Sequence, residues 1–226
     1  MRKVILDTET TGLDTVNDRI IEVGCVELID EIPSGKTFHS YYNPGKILIS
    51  KEAENIHGLN NEFLKDFKLF DDTAQELLTF LDNSQIIIHN AAFDLAMINN
   101  SLKRLNLEKI KEENVLCTLL MARKMFPGSK VNLNALCKRF NVSIEGREKH
   151  DAMIDCLLLS KVYIELIGGN QHVFSFESLN REPKNILLEK NYSKMTLPNL
   201  TNDKQEIDNH NKMLDLISKN IWKEEN

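Results

Sequence analysis

The sequence is poor in cysteine: Cys25, Cys117, Cys137 and Cys156 are the only four in 226 residues, and no two form a C-x-x-C pair. Neither a zinc cluster nor a disulfide framework is expected, and a reducing compartment, the cytoplasm, is. Long hydrophobic runs are missing as well. None approaches the ~20 apolar residues that cross a bilayer. Met1–Thr10 lacks the apolar stretch and small-residue cleavage site of a secretory signal. A soluble chain without a membrane partner is therefore expected. Positive charge is not in excess either. Lys and Arg number 28 against 34 Asp and Glu, a net charge of −6. That speaks against a non-specific nucleic-acid coat and leaves room for a local basic groove.

What the chain does have is enough apolar residue, 42%, to bury a core without staples. Its length exceeds the ~100–200 residues of a usual domain. Composition changes at Gly168-Gly169: residues 169–226 hold 10 of the 24 asparagines and few apolar clusters. One compact domain over 1–168 and a tethered tail are predicted.

Within the domain, Lys3–Thr8, Arg19–Ile29 and Thr37–Tyr42 read as strands, the third after turn chemistry at Pro33-Ser34-Gly35. Connections this short suit antiparallel neighbours. Ser50–Ile56, with Ser50 as N-cap, and Asp72–Leu81 read as helices. Gln85–His89 is an almost wholly apolar strand, Ala92–Leu105 a helix, and Asn114–Cys117 a brief strand. Asn132–Phe140 is a helix capped by Asn132, and Asp151–Ile167 carries a helical apolar stripe. The order predicts an α/β fold: a mixed sheet with an antiparallel three-strand meander, then parallel crossover strands, covered by helices.

Three acidic clusters punctuate this frame. Asp7 and Glu9 are two apart on a strand, so both leave the same face, with Cα atoms roughly 7 Å apart. Alone they read first as solvent-facing acids at a strand edge. Asp94 opens a helix just after His89-Asn90, where an acid is also favoured by the helix dipole. In His150-Asp151-Ala152-Met153-Ile154-Asp155 the 100° helical step puts Asp151 and Asp155 on one face and leaves His150 out. The reading preferred makes Asp151 the N-cap, Asp155 a first-turn projection and His150 part of a mobile loop with Gly146. Asp7, Glu9, Asp94 and Asp155 with His150 form a set whose hard oxygens select Mg²⁺ or Mn²⁺ over zinc. Two such ions about 3.5–4 Å apart suit in-line phosphoryl displacement. His150 is the natural general base, because an unperturbed imidazole titrates near neutrality. The chemistry indicated is phosphodiester hydrolysis.

MRKVILDTETTGLD, IIIHNAAFDLAMIN and KHDAMIDC together resemble the three exonuclease motifs of the DEDD superfamily in its histidine-containing branch. ARKMFPG and HGLNNEFL narrow the resemblance to the proofreading subunits of bacterial replicative polymerases. It covers 1–168 and implies a ribonuclease H-like fold. It also implies metal ligation by Asp7, Glu9 and Asp155, with Asp94 as fourth acid and two ions per site, and proton acceptance by His150. Glu52 and His57 match family positions that contact the terminal nucleotide; otherwise they are a charged helix face and a helix-ending His-Gly pair. Thr10, Thr11 and Leu13 follow the metal strand and are placed to touch that nucleotide, Leu13 as a wedge. Arg123 to Lys149 holds seven basic and two acidic residues, suited to tracking phosphates or to a solvated surface.

The tail adds two expectations. Gln171, Phe174 and Phe176 fit the family's sliding-clamp motif, within a linker over 169–205; the two phenylalanines packing on the domain is the alternative. Met213, Leu214, Ile217 and Ile221 at helical spacing, with Trp222, make 206–226 a segment that folds on a partner; the family resemblance implies that this partner is the polymerase catalytic subunit. The activity implied is 3′→5′ trimming of a single-stranded DNA end to nucleoside 5′-monophosphates. A related exoribonuclease, or a scaffold bridging clamp and polymerase, are the alternatives.

Overall fold

The computed structural model describes residues 1–144, 149–168 and 204–216. It divides into two units, Met1–Phe174 and Ser175–Asn226. The first opens with three strands, β1 (Arg2–Thr10), β2 (Ile20–Ile29) and β3 (Ile32–Tyr41). Helices α1 (Lys51–His57), α2 (Asn61–Leu64) and α3 (Phe70–Leu81) follow. Then come β4 (Gln85–Ile88), α4 (Ala91–Arg104), β5 (Val115–Cys117), α5 (Thr118–Met125), α6 (Leu133–Arg139) and α7 (Ala152–Leu166). The strands lie in the order β3-β2-β1-β4-β5. β1 to β3 are antiparallel, whereas β4 and β5 run parallel to β1. This is the mixed sheet expected.

Side-chain alternation along β1 sorts the core into two layers. Val4 and Leu6 face one layer with Tyr42, Leu77, Met97, Ile98 and Leu102, beneath α3 and α4. Ile5 faces the other with Ala122, Leu136, Leu159, Val162 and Leu166, beneath α5, α6 and α7. Asp7 and Glu9 belong to the second face by the same alternation. The expected caps form. Ser50 accepts from the Ala53 N–H at 3.1 Å, Asn132 from Ala135 at 2.8 Å and Asp151 from Ile154 at 2.8 Å.

Two local expectations are corrected. Pro33-Ser34-Gly35 is not the turn before the third strand; these residues lie inside β3, whose register begins at Ile29↔Ile32. The turn is Asp30-Glu31, both at positive φ (49° and 68°), the handedness that matches strand twist in a two-residue hairpin. Each acid is secured by a cation, Asp30 by the N-terminal amine and Glu31 by Lys3. Helices α2 and α5 are additions, and α3 starts at Phe70 rather than Asp72. The second unit contains α8 (Lys204–Asp215), which overlaps the expected segment and opens two residues before it. The clamp motif over 171–176 and Ile217, Ile221 and Trp222 lie outside the described residues, as do Gly146 and the rest of 145–148. Among the described residues no helix is long and apolar enough to cross a membrane.

One close approach sets the position of α7. A Cβ on Gly24 would lie 2.5 Å from the backbone carbonyl of Ala152, so only glycine lets the start of α7 rest on β2. Gly24→Ala is expected to lower the urea midpoint by the equivalent of about 1–3 kcal/mol, the usual cost of overpacking, and to reduce activity as Ala152 is pushed outward. Equilibrium unfolding and an assay on the same sample test this.

Candidate active site

The chain gathers its acids where β1 ends. Asp7 pairs with Gly24 and Glu9 with Glu22 across β1–β2, and a bulge between Glu9 and Thr10 then turns the chain away. Asp94 arrives from the other face: β4 ends at Ile88, Asn90 takes a left-handed conformation (φ 75°), and α4 begins. Its carboxylate accepts from the Thr8 hydroxyl at 2.7 Å and the Thr8 N–H at 3.2 Å. Asp155 lies buried in the first turn of α7. His150, in the preceding loop, places Nδ1 3.2 Å from Asp155 Oδ2. Polar atoms of Glu9, His150 and Asp155 fall within 4.8 Å of one another.

The electrostatics follow from this crowding. Burial drives the Asp7 carboxyl far above its usual range, reinforced by Asp94, Glu9, Asp155 and Glu22 in turn. Burial also pushes Asp94 up to about 7, against the Thr8 hydrogen bonds that favour its ionised form. Like charges so close are costly without cations. A hard-oxygen donor set that disfavours its own ionisation is what a divalent cation relieves, so the residues present fit such an ion.

The flanking residues are distributed unevenly. Leu13 is 85% exposed at the loop tip. Thr10 and Thr11 are buried and their hydroxyls are used inside the loop, donating to the Gly12 carbonyl and to Asp18 at 2.7 and 2.6 Å. Their side chains build the loop, and the Thr11 backbone joins in, its N–H donating to the Arg19 carbonyl and its carbonyl accepting from the Ser50 N–H, each at 2.9 Å. Glu52 is exposed in the first turn of α1. His57 is buried in the last turn, and burial lowers its pKa. Its Nδ1 accepts from the Leu59 N–H at 3.0 Å, so Nε2 carries the proton. Of the basic run, Arg139 stacks over Phe126 at 4.3 Å.

Sequence reasoning missed three participants. Lys149 extends along Gly58, where a Cβ would meet its Nζ at 2.8 Å, laying an ammonium at the carbonyl end of α1. The His150 N–H donates to the Ile56 carbonyl at 3.1 Å, so the loop is tied to that helix twice. Glu22, buried beside Glu9, is paired with the partly exposed ring of His39. The signal for Glu22 was present, since it is a charged residue inside the apolar run RIIEVGCVELI.

Comparison with known proteins agrees with this geometry. The family model described as exonuclease matches residues 4–163. A solved exonuclease X, in complex with 5′ overhanging duplex DNA, superposes with a TM-score of 0.57 at 25% identity, covering 74% of this chain and 92% of that one. An exonuclease I from Methylocaldum szegediense shares the fold at a TM-score of 0.64 and 19% identity, over 80% of this chain and 43% of that one. The chain belongs to the exonuclease family, and its fold is the ribonuclease H-like one. Its curated relatives are more particular. DNA polymerase III subunit epsilon of Rickettsia conorii is 41% identical over 98% of this chain and 99% of its own length. That of Buchnera aphidicola subsp. Acyrthosiphon pisum is 40% identical over 94% and 93%. Within the exonucleases, the chain belongs to the DNA polymerase III epsilon-subunit family.

The raised carboxyl pKa values predict a pH dependence of stability. Asp94 binds its proton more tightly folded than unfolded, so its contribution falls as pH rises from about 4 toward 7. In chelator, the thermal midpoint of the wild type is expected to drop across that interval more than that of Asp94→Asn. Added Mn²⁺ is expected to abolish the difference. Parallel melting curves with and without the ion measure it.

Proposed function

We propose that the protein is the proofreading 3′→5′ exodeoxyribonuclease subunit of a bacterial replicative polymerase, hydrolysing the terminal phosphodiester to release nucleoside 5′-monophosphates. The observation that carries this reading is the convergence of Glu9, His150 and Asp155 within 4.8 Å, beside an Asp7 carboxyl that feels Asp94, Glu9 and Asp155.

Asp7, Glu9 and Asp155 are the residues that would hold Mg²⁺ or Mn²⁺, two per site. When bound, the ions supply an activated water and neutralise charge on the leaving oxygen. The rest is done by this chain. Thr8 orients Asp94 through two hydrogen bonds to one carboxylate oxygen. His150 is the proton acceptor, exposed enough to meet water yet held beside Asp155. His57, donating from Nε2, and Glu52 contact the terminal nucleotide. Leu13 wedges against its base, and the backbone of Thr10 lines the same end. The site threads an unstacked single-stranded 3′ end. A mismatch frays readily, and that is the basis of selectivity.

In this reading Gln171–Phe176 engages the sliding clamp and 206–226 engages the polymerase catalytic subunit. Tethering raises the effective concentration of the nuclease at the primer end without tight active-site affinity. A cytoplasmic location goes with the role.

Degradation of a 3′-mismatched primer tests the proposal. Trimming is expected with Mg²⁺ or Mn²⁺ and not in chelator, faster on DNA than on a matched RNA. His150→Ala is expected to lose on the order of 10²–10⁴ in kcat, as when a general base is removed. An Asp7→Ala, Glu9→Ala double variant that still proofreads would instead favour the scaffold reading.

A further inference from the structure

Glu22 is a fifth acid at the catalytic end of the sheet. Its side chain is 1% exposed, it stands opposite Glu9 in the β1–β2 register, and its charge reaches Asp7. A buried carboxylate beside others of its kind needs a cation or it disrupts its surroundings. The partner that meets it comes from β3: His39 Nε2 lies 2.7 Å from Glu22 Oε1.

His39 does more than neutralise Glu22. It pairs in register with Gly24, the residue on which the start of α7 rests, so its ring lies at the N-terminus of that helix. Polar atoms of Glu22, His39 and Asp151 come within 4.8 Å of one another. Asp151 caps α7 with Oδ1, and its neighbour in the chain is His150. The imidazole thus stands between two carboxylates, one fixed in the sheet and one at the hinge between the His150 loop and the helix that carries Asp155. Its proton affinity is raised, first by the hydrogen bond to Glu22 and also by the charges of Glu22 and Asp151.

We propose that His39 is a positioning residue for the hydrolytic reaction: by bridging Glu22 and Asp151 it fixes the start of α7, and with it His150 and Asp155. The inference rests on the reading of those two as groups of the reacting centre. Without the imidazole, Glu22 keeps only Tyr41 beside it and the two carboxylates face each other directly; Asp151, at a helix end rather than inside the sheet, is the one that shifts. Its displacement carries His150 with it. Misplacing a reacting group lowers the chemical step while distant strand contacts persist.

The experiment uses the full-length protein, a single-stranded oligonucleotide and Mn²⁺. His39→Leu is expected to lower kcat about tenfold with KM changed by less than about twofold, the pattern of a misaligned group. Adding Glu22→Gln removes the unpaired charge and is expected to return kcat to within about threefold of wild type. His39→Gln, which keeps a donor for Glu22 without the charge, is expected to fall between. Wild-type kcat in His39→Leu, or a double variant no faster than His39→Leu at equal thermal midpoint, overturns the role. His150→Ala run alongside separates the two readings. If it is inactive while His39→Leu is normal, only the positioning role fails; if it is fully active, the assignment of His150 fails.

Discussion

Everything at the catalytic end of this molecule follows from the repulsion among carboxylates forced into one small volume. Burial pushes protons onto Asp7 and Asp94, with neighbouring acids adding to it at Asp7, and such a cluster does not assemble unaided. The scaffold holds it by fixing the acids from three elements: Asp7 and Glu9 from a central strand, Asp94 from α4 and Asp155 from α7. Partial compensation comes from the Thr8 hydroxyl and the His150 ring. In the proposed reading the stored repulsion would drive cation capture, so that affinity for the metal and cost to the fold are one quantity seen from two sides.

The two faces of the sheet divide the labour. The layer beneath α3 and α4 anchors Asp94, and the layer beneath α5, α6 and α7 anchors Asp155 and its attached histidine loop. β1 lies between them and contributes to both, Thr8 to one side and Asp7 and Glu9 to the other. Ties from α1 complete the arrangement, since the backbone of His150 is bonded to Ile56. The element that bears on the terminal nucleotide in the proposed reading therefore also steadies the proton acceptor.

Much of this was legible in the sequence because the informative residues sit on regular elements. Asp7 and Glu9 obey the two-residue period of a strand, and Asp151 with Asp155 obeys helix and cap geometry once Asp151 is assigned to the cap. β1, β2, β4 and β5 were recognisable from their apolar runs, whereas only the second half of the polar β3 was. What escaped depends on neighbours across the sheet. The bond between Glu22 and His39 is a register effect between strands, invisible to local pattern. The hairpin turn misled because Pro-Ser-Gly carries turn chemistry, whereas Asp30-Glu31 adopts positive φ with the help of distant cations. Helix α5 follows β5 without a linker, so no boundary residue announced it.

The suspension of Asp94 and Asp155 from separate hydrophobic layers has a genetic consequence. A shift of about 1 Å in a reacting group is enough to slow chemistry by orders of magnitude, and either layer can produce it. Loosening Leu102 under α4 or Leu166 at the far end of α7 tilts an acid without altering any residue that meets the substrate. Alleles that raise the spontaneous error rate of a genome should thus be scattered through the interior of this domain, and a survey confined to the acidic motifs would overlook most of them.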